Sequence, residues 1–148
     1  ARHSHLCNGG YSIDQGLKNF NPLDFDKENL VAQIFNEEKE RCMLNSLIIC
    51  LFARKVYKRT TILAALNSIG YELSDDDLTE IASKILCTKL RIKRKLGFKL
   101  SEVKIPKRFF ETKSMVGKLD ENVTKELLDI YQRKCDELEK SCEVKVNA

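Results

Sequence analysis

The sequence predicts an all-α fold, a compact multi-helix domain that follows a loop-rich N-terminal arm. Apolar residues recur at helical spacing through most of the chain, and candidate capping residues stand where these segments begin. No segment of useful length alternates polar and apolar residues as a half-buried strand does. We therefore divide the chain into a loop-rich arm at residues 1–24, a helical domain at 25–140 and a frayed polar tail at 141–148.

The N-terminal arm is defined by turn and loop signals. It contains His3 and His5, the Gly9-Gly10 pair and the Asn21-Pro22 dipeptide. Residues 12–19 allow one short helix within it.

Three helices are predicted in the first half of the helical domain. Asp26 is a candidate N-cap for the first of them. The second covers about residues 39–53, where apolar side chains surround the helix almost completely, so we expect it in the core. Thr60 or Thr61 begins the third helix, and Gly70 ends it.

Two further helices are predicted in the second half. Ser74 is the N-cap of the fourth, which starts with three aspartates, ends with the basic residues 93–95 and stops at Gly97. Both charge clusters complement the helix dipole. Pro106 interrupts the pattern before a short turn, and Asp120 caps the fifth helix.

Composition and charge argue against several classes of protein. The chain has 148 residues, a net charge of +4 and a pI of about 8.7, which is too mild for a dedicated nucleic-acid binder. No apolar run approaches the ~20 residues that span a bilayer. The six cysteines form no C-x-x-C pair and follow no signal peptide, so we expect reduced thiols in a cytoplasmic protein. Because the chain starts at Ala1 without an initiator methionine, we expect a fragment.

Six segments, in order, carry a likeness to one family. Asn45–Phe52 resembles the family's D-x-x-G-L-C-x-F segment. The others are His5–Tyr11 (CHL and a following Gly-Gly-Tyr), Ile62–Gly70 (LLNAVTG), Ser74–Leu78 (T-x-E-E-L), Ile105–Phe109 (LP-x-RF) and Leu127–Tyr131 (MLDEYY). Together, over about residues 3–136, they resemble the C-terminal domain of the tungsten- or molybdenum-pterin aldehyde ferredoxin oxidoreductases.

The resemblance implies a redox chemistry that needs more than this chain. In the family, a metal held by two pterin dithiolenes oxidises an aldehyde to a carboxylic acid, and electrons pass through a [4Fe–4S] cluster to ferredoxin. The cluster takes four thiolates. The resemblance implies that Cys50 supplies one of them and that the other three lie upstream. The alternative is that Cys50 is a small apolar residue buried in a core helix.

The same resemblance places Asn45, Leu47 and Ile49 against the pterin. The family's Asp, at the position of Asn45, can accept hydrogen bonds from ring N–H groups, and its Gly, at the position of Ile48, permits close approach. Asn45 keeps an acceptor but adds an NH₂ donor, and Ile48 adds bulk, so we expect weaker pterin contact. The alternative is an ordinary core helix with Asn45 on its solvent side.

His5 is the candidate catalytic residue, as a proton donor or acceptor beside the substrate. An imidazole titrates near neutrality, which suits this role. The alternative is a loop histidine without a role, and the neighbouring His3 is a lesser candidate.

Further departures from the family keep other functions open. Ala82–Ile85 replaces G-E-R-I, Ile92–Gly97 replaces F-N-x-R-E-G, and the C-terminal RGW is missing. These changes favour a degenerate homologue that kept the helical scaffold and lost the metal. A third hypothesis is a basic binding module, in which six basic residues within 89–99 meet phosphate or an acidic protein; the alternative for that run is a solvated helix end.

We therefore predict a fragment of an aldehyde ferredoxin oxidoreductase that is inactive alone. Its expected partners are the remaining N-terminal domains of the same enzyme, ferredoxin and an aldehyde, with no membrane. We expect the isolated chain to bind neither metal nor pterin.

Overall fold

The computed structural model describes residues 9–16, 25–53, 55–113 and 117–146. Within these residues the fold is all-α, as predicted, and contains no β-strand. The α-helices are α1 (Gly9–Gly16), α2 (Lys27–Ser46), α3 (Arg59–Ser68), α4 (Asp75–Lys95), α5 (Arg108–Glu111) and α6 (Glu121–Val146), with 3-10 turns at Leu51–Ala53 and Leu100–Glu102.

Helix α2 is the centre of the domain because α1, α4 and α6 all pack against it. Its apolar residues contribute to two core clusters. The first cluster joins α2 to α3 and α4 through Met43, Leu44, Ile62, Leu78 and Ala82. The second cluster joins α2 to α4 and α6 through Phe35, Cys42, Leu86 and Cys135.

Three of the predicted helix starts are confirmed by side-chain capping bonds. The Asp26 carboxylate accepts from the Asn29 N–H at 3.0 Å, and Asp120 accepts from Val123 at 2.9 Å. Ser74 begins α4 with a reciprocal capping box, in which the Asp77 carboxylate accepts from the Ser74 N–H. These bonds satisfy N–H groups that have no partner inside the helix.

Helix α3 begins at Arg59, one residue before the predicted Thr60 or Thr61. Its N-cap, Lys58, makes no side-chain capping bond. The Arg59 guanidinium instead donates to the Asp75 carboxylate at 2.6 Å, which links the start of α3 to the start of α4. The start of α3 is therefore marked by an ion pair to α4 and has no capping side chain.

The predicted core helix over 39–53 is wrong in its second half. One helix, α2, covers Lys27–Ser46 in place of the two predicted helices, and it ends before Leu47. Leu47 and Ile48 are 36% and 93% exposed, so the apolar run leaves the core at this point. The reason is a left-handed residue at Ile48, which turns the chain away from the helix axis.

The helix in the arm starts earlier than predicted, and the last helix is longer than predicted. The arm contains α1 at Gly9–Gly16, shifted from the expected 12–19, and α1 packs on α2. At the other end, α6 continues to Val146 through most of the expected frayed tail. Within this part of α6, the Ser141 hydroxyl donates to the Leu138 carbonyl at 2.7 Å.

Candidate functional site

The candidate site is the chain reversal after α2, residues 45–50, here called the α2 turn. The Ile48 N–H donates to the Asn45 carbonyl at 3.1 Å, and the Ile49 N–H donates to the Leu44 carbonyl at 2.9 Å. This pair of bonds is the Schellman motif, which closes a helix through one left-handed residue. Ile48 is that residue, with φ of +58°.

A β-branched residue is unusual at this position because its Cβ crowds the backbone when φ is positive. Glycine is the usual occupant. Among the described residues outside glycine, Ile48 alone has a positive φ. The segment that Asn45–Phe52 resembles has glycine at this same position, so the backbone adopts a conformation that suits the family's residue better than its own.

The side chains of the α2 turn divide into an inner anchor and an outer face. Ile49 is half-buried and packs against the core cluster that contains Met43. Asn45, Leu47, Ile48 and Cys50 are exposed. Of the predicted cofactor-binding residues, Asn45 and Leu47 therefore lie on the outer face, while the Ile49 side chain points into the domain.

Cys50 is exposed at the end of the α2 turn. Its carbonyl accepts from the Ala53 N–H at 2.9 Å, which begins the following 3-10 turn, and its thiol carries no disulfide. The alternative that Cys50 is a buried core thiol is wrong. An exposed thiol on an ordered turn can reach a ligand that lies outside the domain.

The other described cysteines differ from Cys50 in burial. Cys42, Cys87 and Cys135 are buried, and Cys142 is half-buried. Burial raises the pKa of the Cys135 thiol to about 12, and burial also raises the pKa of Cys42. These protonated thiols behave as apolar core residues.

The described residues do not form a complete metal site. Within 9–16, 25–53, 55–113 and 117–146, no group of three or more His, Cys, Asp or Glu side chains could hold a metal ion. A [4Fe–4S] cluster takes four ligands, and Cys50 can supply one thiolate.

His5, the predicted catalytic residue, and His3 lie outside the described residues. The described part of the arm starts at Gly9, whose N–H donates to a Glu38 carboxylate oxygen at 2.9 Å. A Cβ at Gly9 would stand 2.7 Å from the Ile34 carbonyl oxygen, so only glycine permits this close contact between α1 and α2. The beginning of α1 is thereby held at a defined place on α2.

Glu38 joins three helices, and the sequence interpretation missed it. One of its oxygens accepts from Gly9 of α1, and the other accepts from the Lys89 ammonium of α4 at 2.7 Å. Burial acts to raise the pKa of Glu38, but the bonds from Lys89 and Gly9, with the Lys89 and Lys93 charges, outweigh it and hold this pKa below its ordinary value. No local sequence signal identifies such a residue, because its partners are distant along the chain.

Arg41 is a second residue that the sequence interpretation missed. Its side chain is 5% exposed and pairs with Glu37, one helical turn earlier. It lines an open cleft of about 380 Å³ beside the start of α3, together with Tyr57 and Arg59. The Glu37–Arg41 spacing is the signal that could have identified the pair.

At least half of the six basic residues within 89–99 form ion pairs with acidic residues of the same domain. The last turn of α4 holds three of its residues, as the dipole argument predicted. Ion pairs engage Lys89, Arg94 and Lys99 with Glu38, Glu139 and Glu102 at 2.7, 2.8 and 2.9 Å. This arrangement favours a solvated helix end over a free docking surface.

Comparison with known protein families shows to which family the chain belongs. It matches the family model described as aldehyde ferredoxin oxidoreductase, domains 2 & 3, over residues 3–136. The chain therefore belongs to the aldehyde ferredoxin oxidoreductase family. Neither the curated proteins nor the solved structures gave a match. In the part of the chain that the structure describes, no helix has the length and apolar character needed to cross a membrane.

Proposed function

We propose that the intact protein is an aldehyde oxidoreductase in which this domain supplies one wall of the pterin site and one ligand of a [4Fe–4S] cluster. Family membership supports the class of reaction. The observation that supports the site assignment is the α2 turn, in which Cys50 is exposed on the outer face and the neighbouring Ile49 anchors the segment to the core.

Each proposed residue has one task. The bound metal–pterin group would supply the oxidation of the aldehyde, and the cluster would carry the electrons away. Cys50 would hold one iron as a thiolate. The Asn45 amide oxygen would accept from a pterin N–H, and Leu47 and Ile49 would line the cofactor. His5 donates or accepts a proton beside the substrate.

The proposed partners are the remaining domains of the same enzyme, ferredoxin and an aldehyde. Reduced cysteines suit a cytoplasmic protein, which is the location that we propose. The pterin metal is tungsten or molybdenum.

A degenerate homologue is the second candidate, and Ile48 favours it. The Ile48 side chain is 93% exposed on the outer face, where the family's glycine leaves room for the cofactor. A protein that kept the scaffold and lost the cofactor would tolerate this side chain. The two candidates differ in what the intact protein binds when it is prepared without oxygen and with tungsten and molybdenum supplied.

Replacement of Cys50 tests the first candidate in the intact protein. We expect Cys50→Ser to lower the iron content or shift the cluster's reduction potential, because a hard oxygen ligand would replace a soft thiolate. Aldehyde-dependent reduction of ferredoxin should fall with it. Cys142→Ser, which removes a half-buried thiol at the far end of α6, is the matched control and should keep both signals.

Thermal unfolding of both variants separates loss of a ligand from loss of the fold. If Cys50→Ser keeps the full iron–sulfur signal and activity, the ligand assignment is wrong. If the unaltered intact protein holds no iron and no pterin, the degenerate homologue is the better description.

The isolated 148-residue chain provides a complementary measurement. We expect elemental analysis of anaerobically purified chain to find neither a stoichiometric metal nor a pterin, because Cys50 alone cannot hold a cluster. One tightly bound cluster per chain would contradict this expectation.

A further inference from the structure

Helices α4 and α6 pack side by side. They run in opposite directions, because α2 is antiparallel to α4, as the Glu38–Lys89 and Leu44–Leu78 pairs show, and parallel to α6, as the Lys27–Glu126 and Phe35–Tyr131 pairs show.

The ion pairs of Arg94 show where α4 and α6 meet. Arg94 of α4 contacts Asp136 of α6, and its guanidinium lies 2.8 Å from the Glu139 carboxylate. Moving back about two helical turns from Arg94 along α4 leads to Cys87, and moving forward about two turns from Asp136 along α6 leads to Cys142. The antiparallel register therefore brings these two cysteines together.

The two thiols are neighbours and differ in accessibility. The Cys142 thiol lies near enough to Cys87 to help raise the pKa of the Cys87 thiol. Cys87 is 2% exposed, whereas Cys142 is half-buried and reaches the surface. Neither residue belongs to the α2 turn, so the pair is independent of the proposed cofactor site.

We propose that Cys87 and Cys142 are a redox modification site, forming a reversible disulfide that ties the end of α6 to α4. The oxidant is a small disulfide such as oxidised glutathione. Cytosolic disulfides are usually transient and respond to redox conditions, which fits a reversible bond of this kind.

The reaction proceeds by two thiol–disulfide exchanges. The accessible Cys142 loses its proton and attacks one sulfur of the small disulfide, forming a mixed disulfide and releasing one small thiol. The Cys87 sulfur then attacks the Cys142 sulfur, forming the protein disulfide and releasing the second small thiol. Two protein thiols are oxidised, one small disulfide is reduced, and the two protons go to the two released thiols.

The order of these steps follows from the surroundings of Cys87. Cys87 is 2% exposed, so an oxidant in solution does not reach its thiol. Burial, with the neighbouring Cys142 thiol, also raises the pKa of Cys87 to about 11, which slows its reaction with any disulfide that is not held beside it. It reacts only with a disulfide already held beside it on Cys142.

Peptide mapping of the full chain tests the pairing directly. The chain is treated with oxidised glutathione, its free thiols are blocked with a maleimide, and it is cleaved with trypsin. Cleavage after lysine separates Cys87 in 85–89, Cys142 in 141–145 and Cys135 in 135–140. We expect a linked pair of 85–89 and 141–145, which a thiol reductant separates.

Two single variants should differ in what happens to the cysteine that each of them keeps. In Cys87→Ser, Cys142 should accumulate as the glutathione mixed disulfide, because nothing displaces the glutathione. In Cys142→Ser, Cys87 should remain reduced and be blocked by maleimide only after unfolding. The oxidised unaltered chain should also unfold at a higher temperature than the reduced chain, because the bond closes a long loop.

Other outcomes would overturn the proposal. A mixed disulfide that persists on Cys142 in the unaltered chain would show that the pair cannot close. A linkage of Cys142 to any peptide other than 85–89 would show that the pairing is different. Since Cys142→Ser changes a half-buried position, it keeps the test valid even if Cys87→Ser fails to fold.

Discussion

Helix α2 changes character within a single turn. Residues 41–44 are all buried, and residues 45–48, which follow directly, are all exposed. The buried stretch packs against α3, α4 and α6, whereas the α2 turn is held mainly by backbone hydrogen bonds and the Ile49 anchor. Stability and the proposed chemistry therefore occupy neighbouring segments of one element, and substitutions in the two segments should report different properties.

The largest expected difference is between Met43 and Leu47. Met43 is 2% exposed in the core cluster, so Met43→Ala should lower the free energy of unfolding by about 2–5 kcal/mol. Leu47 lies just four residues later but is exposed, so Leu47→Ala should change it by less than about 0.5 kcal/mol. Urea unfolding of both variants measures the two values, and similar losses would abolish the distinction between the segments.

Glu38→Gln tests whether the part of α2 that precedes the buried stretch contributes to stability through its charge. The variant loses the charge-assisted bond from Lys89 and weakens the bond from Gly9, and we expect a loss of about 1.5–3 kcal/mol at neutral pH. Because the pKa of Glu38 is lowered in the folded protein, its stabilisation is complete above the unfolded-state pKa and is lost as pH falls through the folded-state pKa.

The free energies of unfolding of the unaltered chain and of the Glu38→Gln variant should therefore converge as the pH falls below about 4, near the ordinary pKa of a glutamate. Asn45→Ala, on the exposed face of the same helix, should show no comparable pH-dependent difference. If the two free energies of unfolding still differ by the same amount at acidic pH, the Glu38→Gln substitution destabilises the fold for a steric reason.

Much of the fold could be predicted from the sequence because its helix boundaries are chemically explicit. Asp26, Ser74 and Asp120 are capping residues whose bonds the structure contains, and Gly70 and Gly97 both have positive φ after a helix. These signals act over three or four residues, so a local pattern is sufficient.

The end of α2 could not be predicted from residue type because the usual stop signal is missing. Gly70 and Gly97 announce the ends of α3 and α4, but Ile48 favours continuation of an apolar helix. The family's glycine at this position was the one available sign of a turn. The Glu38 and Cys87–Cys142 contacts join residues far apart in the sequence, which is why local patterns did not reveal them.

The smallest expected effect compares the C-terminal ends of α2 and α4. Both close with the same pair of bonds, since the Gly97 N–H donates to the Arg94 carbonyl at 2.9 Å and the Phe98 N–H donates to the Lys93 carbonyl at 3.0 Å. The residue in the left-handed position is isoleucine in α2 and glycine in α4, with φ of +58° and +81°. The Schellman motif is therefore strained at the end of α2 and unstrained at the end of α4.

Replacing Ile48 by glycine and Gly97 by isoleucine should change the free energy of unfolding in opposite directions. A left-handed L-residue costs roughly 1–2 kcal/mol, and glycine returns part of that through its freedom in the unfolded chain. We expect Ile48→Gly to raise the free energy of unfolding by about 1 kcal/mol. Gly97→Ile should lower it by a similar amount through backbone strain, because a Cβ placed there meets no atom within 4 Å apart from its immediate chain neighbours. Ile48→Ala keeps a Cβ and should therefore raise the free energy of unfolding by less than Ile48→Gly does.

If Ile48→Gly instead destabilises the chain, the isoleucine side chain makes contacts that outweigh the backbone strain. The α2 turn would then be held by that side chain rather than by its backbone.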